Sequence, residues 1–378
     1  METHYKFAYN AFSLHPAANK DIMEQVKEHY MQGKMKVALM TSLEKLEIVE
    51  RNIPVPKADE VLVKLEYVGV CGSDLHYYEN GRIGNFIVEF PFVLGHECAG
   101  VVVEAGSQVK HLKAGDKVAL EPGKTCGRCE FCKTGRYNLC PDVIFFATPP
   151  VDGVFQEYTA HEAALCFKLP DNVNTMEGAL IEPLAVGFHA AVTGKAKMGQ
   201  TALVTGSGCI GLVSMLALKA IGLSRVYVSD VVSKRLEKAK ALGATEVINA
   251  EKQDTAKAVK ELTGSEGVDL VIETSGTEIA AAAGIGVLKK GGSLVFVGYS
   301  KNGMMNLPIG EALDKELNMK TIFRYRHIYP LAIDAVSQGR VNIKNIVTDV
   351  FNFADVQEAM QKSARNKADI VKSVIKIA

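Results

Sequence analysis

The hexamer Gly206-Ser207-Gly208-Cys209-Ile210-Gly211 lies between a short apolar run, Thr201-Ala202-Leu203-Val204, and a stretch with Leu212, Met215, Leu216 and Lys219 at helical spacing. Glycine is common here, at 33 residues, so the spacing G-x-G-x-x-G alone says little. Its place after a strand and before a helix makes it a tight βα turn. The first glycine permits the turn, the second lets backbone approach a pyrophosphate, and the third lets helix and strand pack closely. The helix N-terminus then offers free N–H groups to phosphate. Asp230 ends the next strand, Arg225-Val226-Tyr227-Val228, where a carboxylate accepts from a ribose diol and repels a 2′-phosphate. This predicts NAD rather than NADP. The other reading is a structural glycine turn with a surface aspartate. Lys234 and Arg235 are either solvated first-turn charges or groups that soften that selectivity. Strands at Asp269–Ile272 and Ser293–Val297, and a helix over 234–242 stopped by Gly243, continue the alternation. Repeated βα units imply a parallel sheet with helices on both faces.

The rest of the chain has another texture. With 378 residues it is long enough for two domains. From about residue 35 to 180 short β-branched runs, glycine and proline dominate, with alternation at Val61, Val63, Leu65 and Tyr67 against Lys64 and Glu66. Mixed texture returns after about 313, so the α/β unit is expected inside a discontinuous strand-rich domain. Lys plus Arg equals Asp plus Glu at 43 each, which removes the electrostatic footprint of a nucleic-acid or anionic-membrane binder. No apolar run approaches the ~20 residues that span a bilayer. The opening METHYKFAYNAFSLHP lacks a basic flank followed by an apolar core. An intracellular, cytoplasmic protein is expected. Residues 1–34 read either as an extension with an amphipathic stripe at Ile22, Val26 and Tyr30 that docks on a neighbouring subunit, or as a start assigned ahead of Met31 or Met35.

In that setting the eight cysteines read as thiolates or metal ligands rather than disulfides. Cys126, Cys129, Cys132 and Cys140 form C-x2-C-x2-C-x7-C, able to close a tetrahedral shell around structural Zn²⁺. An iron–sulfur cluster or four free thiols are the alternatives. A second, dispersed set is Cys71, His96 and Glu97, three ligands of a kind that leaves a fourth position on zinc open. A satisfied surface His–Glu pair is its plainer reading. Cys98, Cys166 and Cys209 read as buried small hydrophobes.

Taken together, Gly69-Val70-Cys71-Gly72-Ser73-Asp74-Leu75-His76, Gly95-His96-Glu97, the four-cysteine loop and Glu182-Pro183-Leu184 resemble the zinc-dependent medium-chain dehydrogenases from about residue 35 to the C-terminus. The resemblance is to their polyol branch, the sorbitol (L-iditol 2-) and xylitol dehydrogenases. It rests on Tyr77-Tyr78-Glu79-Asn80-Gly81-Arg82-Ile83-Gly84, on Arg136-Tyr137-Asn138-Leu139-Cys140 with Phe145-Phe146-Ala147-Thr148-Pro149-Pro150, and on Phe323-Arg324-Tyr325. It implies an α/β architecture: a strand-rich GroES-like catalytic domain over 35–185 and 313–378, and a Rossmann-type doubly wound NAD-binding domain over 186–312. Cys71, His96 and Glu97 would hold catalytic zinc, with Glu182 beside it. Ser73 and His76 would pass the proton on, and Tyr77, Glu182, Arg324 and Tyr325 would meet polyol hydroxyls. Gly206, Gly208, Ile210, Gly211, Asp230, Arg235 and Val297-Gly298-Tyr299 would line the NAD site. The implied activity is hydride transfer from C2 of sorbitol, xylitol or L-iditol to NAD, by a homo-oligomer, usually a tetramer. Another secondary alcohol, 2,3-butanediol or threonine, is the nearest alternative, and a non-catalytic nucleotide-binding protein the more distant one. Arg326-His327 falls where relatives vary, which leaves the preferred polyol open.

Overall fold

A computed structural model describes residues 33–378 apart from Asn302. The expected extension over residues 1–34 lies outside the described residues except for its last two, and Lys34 already opens the first strand, Lys34–Ser42.

Six strands form a wholly parallel sheet in the spatial order Glu246–Asn249, Arg225–Asp230, Thr201–Thr205, Val268–Glu273, Leu288–Phe296, Asn318–Thr321. The chain order reverses between Thr201–Thr205 and Val268–Glu273, which opens a crevice at the carboxyl ends of these strands. The glycine hexamer sits there. Gly206 has φ +91°, and a Cβ on Gly211 would lie 1.8 Å from the Gly206 carbonyl oxygen, so turn and helix pack as closely as the spacing requires. The helix that follows is Cys209–Ile221, and the next, Ser233–Ala241, ends before Gly243 at φ +97°. The sheet continues to Thr321, past the expected boundary at 312, because Asn318–Thr321 is an edge strand with too little apolar alternation to read as one. The other expected boundary, at 185, falls inside the helix Ile181–Thr193, whose Leu184 and Phe188 share a core with Leu212, Val213 and Leu216.

The second body is antiparallel except where Asp349–Asn352 runs parallel to the C-terminal strand. Glu60–Gly69 lies beside Glu97–Ala105, and its other edge pairs with Tyr158–Glu162 at one end and the C-terminal strand Ser373–Lys376 at the other. Val61, Val63 and Leu65 are buried against an exposed Lys64 and a half-buried Glu66, the alternation expected, and Leu62 and Val68 are buried on the other face as well. Val374 opposite Gly69 brings the end of the chain back to its beginning. No helix among the described residues is long and apolar enough to cross a membrane.

Candidate active site

Strand register assembles the dispersed ligand set. Gly69 faces Glu97 across the ladder, so Cys71, two residues beyond one strand end, meets His96 and Glu97 at the start of the other. One ligand atom from each of Cys71, His96 and Glu97 lies within 4.8 Å of the others. Cys71 caps the helix Gly72–Asn80, and Asp74 completes the cap. The Asp74 carboxylate accepts the Cys71 N–H at 2.9 Å and the Gly95 N–H at 2.9 Å, and faces His96 Nδ1 at 3.6 Å. Burial opposes its charge, yet His96 and the two N–H groups outweigh that and hold its carboxyl below the ordinary value. A Cβ on Gly69 would lie 2.0 Å from Glu97 Oε2, so a bare backbone makes room for this carboxylate. Lys372, also buried, forms an ion pair with Glu97 and donates to the Val70 carbonyl at 2.9 Å. Burial disfavours the ammonium, but Glu97 more than restores it. Sulfur, nitrogen and oxygen donors converging at the edge of a cleft, two of them buried, fit zinc with an open position.

Glu182 enters from the first turn of Ile181–Thr193. Burial pushes its carboxyl up to about 7, with His96 lowering and Glu97 raising it, and Tyr325 Oη donates to Oε1 at 2.9 Å. The Tyr325 hydroxyl is therefore engaged with Glu182. Arg324 stacks its guanidinium 3.8 Å from the Phe145 ring centroid and keeps Nη1 buried without a hydrogen-bond partner. Tyr77 is buried, its hydroxyl pushed up to about 12 chiefly by that burial. Ser73 is half-buried, and His76, one helical turn on, is exposed.

A cleft of about 330 Å³ joins Cys71, His76 and Glu97 on one wall to Gly208, Ile210, Gly211 and Arg235 on the other. A Cβ on Gly208 would meet only Arg235 Nη1, at 3.8 Å, so packing does not demand this glycine and its amides stay open to a ligand. Asp230 accepts from Ser207 N at 2.6 Å, Ser207 Oγ at 2.9 Å and Val232 N at 2.9 Å, which ties it to the turn. Arg235 donates to the Lys367 carbonyl. Val297, Gly298 and Tyr299 follow the fifth strand of the sheet order but are not among the residues lining the cleft, and Tyr299 is 82% exposed.

Asp74, Lys367 and Lys372 escaped the sequence reading as site residues. Asp74 had a signal, three positions after the cap Cys71, as in a capping box. Lys372 had none, since only the pairing of the last strand brings it to Glu97.

The other cysteines form a separate lobe. One Sγ from each of Cys126, Cys129, Cys132 and Cys140 lies within 4.8 Å of the others. Backbone N–H groups of Cys126, Cys129 and Cys132 each point at a sulfur of the set, on Cys140, Cys126 and Cys129, at 3.4 Å. The Arg128 and Cys129 amides draw the Cys126 thiol down to about 7. Despite the Cys132 amide, burial and the neighbouring sulfurs raise the Cys129 thiol, and burial pushes that of Cys140 up to about 11, so the fit to a closed four-sulfur metal site rests on the gathering of the four sulfurs. In contrast, burial pushes the Cys209 thiol up to about 12 and also raises those of Cys98 and Cys166, which behave as small apolar groups.

Residues 57–171 match the alcohol dehydrogenase GroES-like domain, and residues 209–338 match the zinc-binding dehydrogenase domain. The chain is 44% identical over 347 residues to a sorbitol dehydrogenase of Bacillus subtilis, covering 92% of this chain and 98% of that protein. It is 46% identical over 311 residues to the human sorbitol dehydrogenase, covering 82% and 87% of the two chains. Among solved structures it superposes on an Escherichia coli oxidoreductase of unknown specificity with a TM-score of 0.88 at 42% identity, covering 92% of this chain and all of that one. The parallel sheet with its glycine turn, the two ligand clusters and these likenesses lead to one family: the chain belongs to the zinc-dependent medium-chain alcohol dehydrogenases and is an oxidoreductase.

Proposed function

We propose that this protein oxidises C2 of a polyol such as sorbitol, xylitol or L-iditol to the ketose with NAD. The observation that carries this reading is that the Cys71–His96–Glu97 set has the Glu182–Tyr325 pair, Tyr77 and, across the Phe145 ring, a buried unpartnered Arg324 nitrogen packed about it, while Cys71 and Glu97 also line the cleft. A simple aliphatic alcohol needs no such array. Arg324 offers a planar fork to two hydroxyls, and Tyr77 combines an apolar face with a polar tip. The likeness to sorbitol dehydrogenases over most of the chain supports the same substrate class.

Zinc bound by Cys71, His96 and Glu97 supplies Lewis-acid stabilisation of an alcohol oxygen near neutral pH. The chain does the rest. Asp74 orients His96, and Tyr325 holds Glu182 facing the ligand set. A bound nicotinamide would accept the hydride from the substrate's C2, and Ser73 and His76 would relay the hydroxyl proton to solvent. Gly206, Gly208, Ile210 and Gly211 would hold the pyrophosphate, with Arg235 beside it. Asp230 would accept from the adenine-ribose diol, and its charge would disfavour NADP. Val297, Gly298 and Tyr299 would lie on the nicotinamide side. The protein works in the cytoplasm as a homotetramer, and the exposed edge strand Asn318–Thr321, with Leu313 exposed nearby, suits contact between copies.

A panel of sorbitol, xylitol, butanediol and threonine, each with NAD and NADP before and after chelation, tests this reading. Polyol turnover with NAD that is lost on chelation is expected. Robust activity on butanediol or threonine with none on polyols contradicts it.

A further inference from the structure

Two stretches singled out in the sequence, Arg136–Cys140 and Phe323–Tyr325, come together in space, and the chemistry above uses only the second. The first lies in the four-cysteine lobe, between its third and fourth cysteines. Asn138, buried, donates from Nδ2 to the Phe323 carbonyl at 2.7 Å and accepts from Arg326 Nη1 at 3.1 Å. Tyr137 Oη accepts the His327 N–H at 2.8 Å and donates its own proton to Glu121 Oε1 at 2.7 Å. The His327 ring stands edge-on to Tyr137 at 4.8 Å, and its Nε2 lies 2.9 Å from the Gly135 carbonyl. The segment Phe323–His327 is thus held at both ends by one lobe.

It needs holding. Arg324 and His327 both sit at φ +54°, a left-handed conformation that is unfavourable for a non-glycine residue and persists only where the surroundings impose it. Arg324 and Tyr325, between the two anchors, bear the groups assigned to the substrate and to Glu182. Moving the segment would displace these groups first, since Cys71, His96 and Glu97 make no hydrogen bond to it and His96 meets it only through the Phe145 ring.

We propose that Tyr137 and Asn138 are positioning residues: the four-cysteine lobe clamps the segment Phe323–His327 in the conformation that presents Arg324 to substrate and Tyr325 to Glu182. The proposal rests on the substrate assignment of Arg324 given above. Because both residues lie between Cys132 and Cys140, gathering the four thiolates also fixes the clamp.

The test compares Asn138→Ala and Tyr137→Phe with the unmutated holoenzyme. Tyr137→Phe removes only one oxygen and guards against a folding failure of the other variant. Kinetics are read with sorbitol or whichever panel alcohol is turned over, and tryptic cleavage after Arg324 and Arg326 is read by mass spectrometry. The clamp predicts that KM for the alcohol rises about tenfold, the size of one or two lost hydrogen bonds, while kcat stays within about twofold. KM for NAD and zinc content stay unchanged, and cleavage accelerates. A variant pair lacking either the KM change or the faster cleavage overturns the proposal, as does a fall in kcat that tracks loss of zinc. If no polyol is turned over, the function reading fails while KM for the active alcohol and the cleavage rate still decide the clamp.

Discussion

The two ligand clusters are built by opposite means. The four-cysteine set spans fifteen consecutive residues, and its sulfurs are held by neighbouring backbone amides of the same short loop. The Cys71–His96–Glu97 set has no local integrity. It exists because Gly69 pairs with Glu97 and because the last strand delivers Lys372 to their side. The local cluster stands half-exposed, whereas His96 and Glu97 are buried. A cluster that brings its own scaffold suits a structural duty. One that borrows its scaffold from the whole domain is prearranged before any metal arrives, and suits chemistry.

The comparison breaks first, and most visibly, at Cys71. Cys71→Ala should lower turnover by roughly 10³-fold or more and leave apparent Tm nearly unchanged, because the surrounding strands do not depend on the metal. A loss of folding, seen by circular dichroism, would mean that the dispersed set is also structural. Asp74→Asn comes next: weaker orientation of His96 should cost about 10–100-fold in metal affinity at the catalytic set, measured by competition with a chelator. Metal at the four cysteines should be unaffected. Cys129→Ser should do the reverse, lowering apparent Tm by about 5 °C as the closed thiolate shell opens. An unchanged Tm would deny the lobe a structural metal.

The smallest effect probes the junction between lobe and core. Burial pushes the Glu121 carboxyl up to about 7, and the Tyr137 hydroxyl offsets this only in part. A folded-state pKa above the unfolded value means a contribution to stability that is present below about 4.5 and lost as pH rises through about 7. Glu121→Gln, which stays neutral, should therefore match the unmutated protein at or below about pH 4 and exceed it above pH 8, by up to about 3 kcal/mol. Equal pH dependence of the two unfolding curves would place no buried carboxylate there.

Local order was readable and long-range order was not. The glycine turn, its flanking elements and the four-cysteine lobe are set by residues near one another in the chain, and their spacing carries the physics. Asn318–Thr321 gives little signal because an edge strand needs little apolar alternation, and no local pattern shows that the helix Ile181–Thr193, which contains residue 185, packs into both bodies. The ligand roles of Cys71, His96 and Glu97 rested on resemblance, since spacing alone allowed a surface pair. Lys372 and the contact of Asn138 with Phe323 depend on pairings across 302 and 185 positions, which no local pattern announces.

Zinc content per chain, measured with turnover on the same samples of the unmutated protein, Cys71→Ala and Cys129→Ser, tests the division of labour most directly. The account predicts two zinc ions per unmutated chain, one in each variant, and abolition of turnover in Cys71→Ala. A single zinc per unmutated chain with full activity, or turnover surviving in Cys71→Ala, would contradict it.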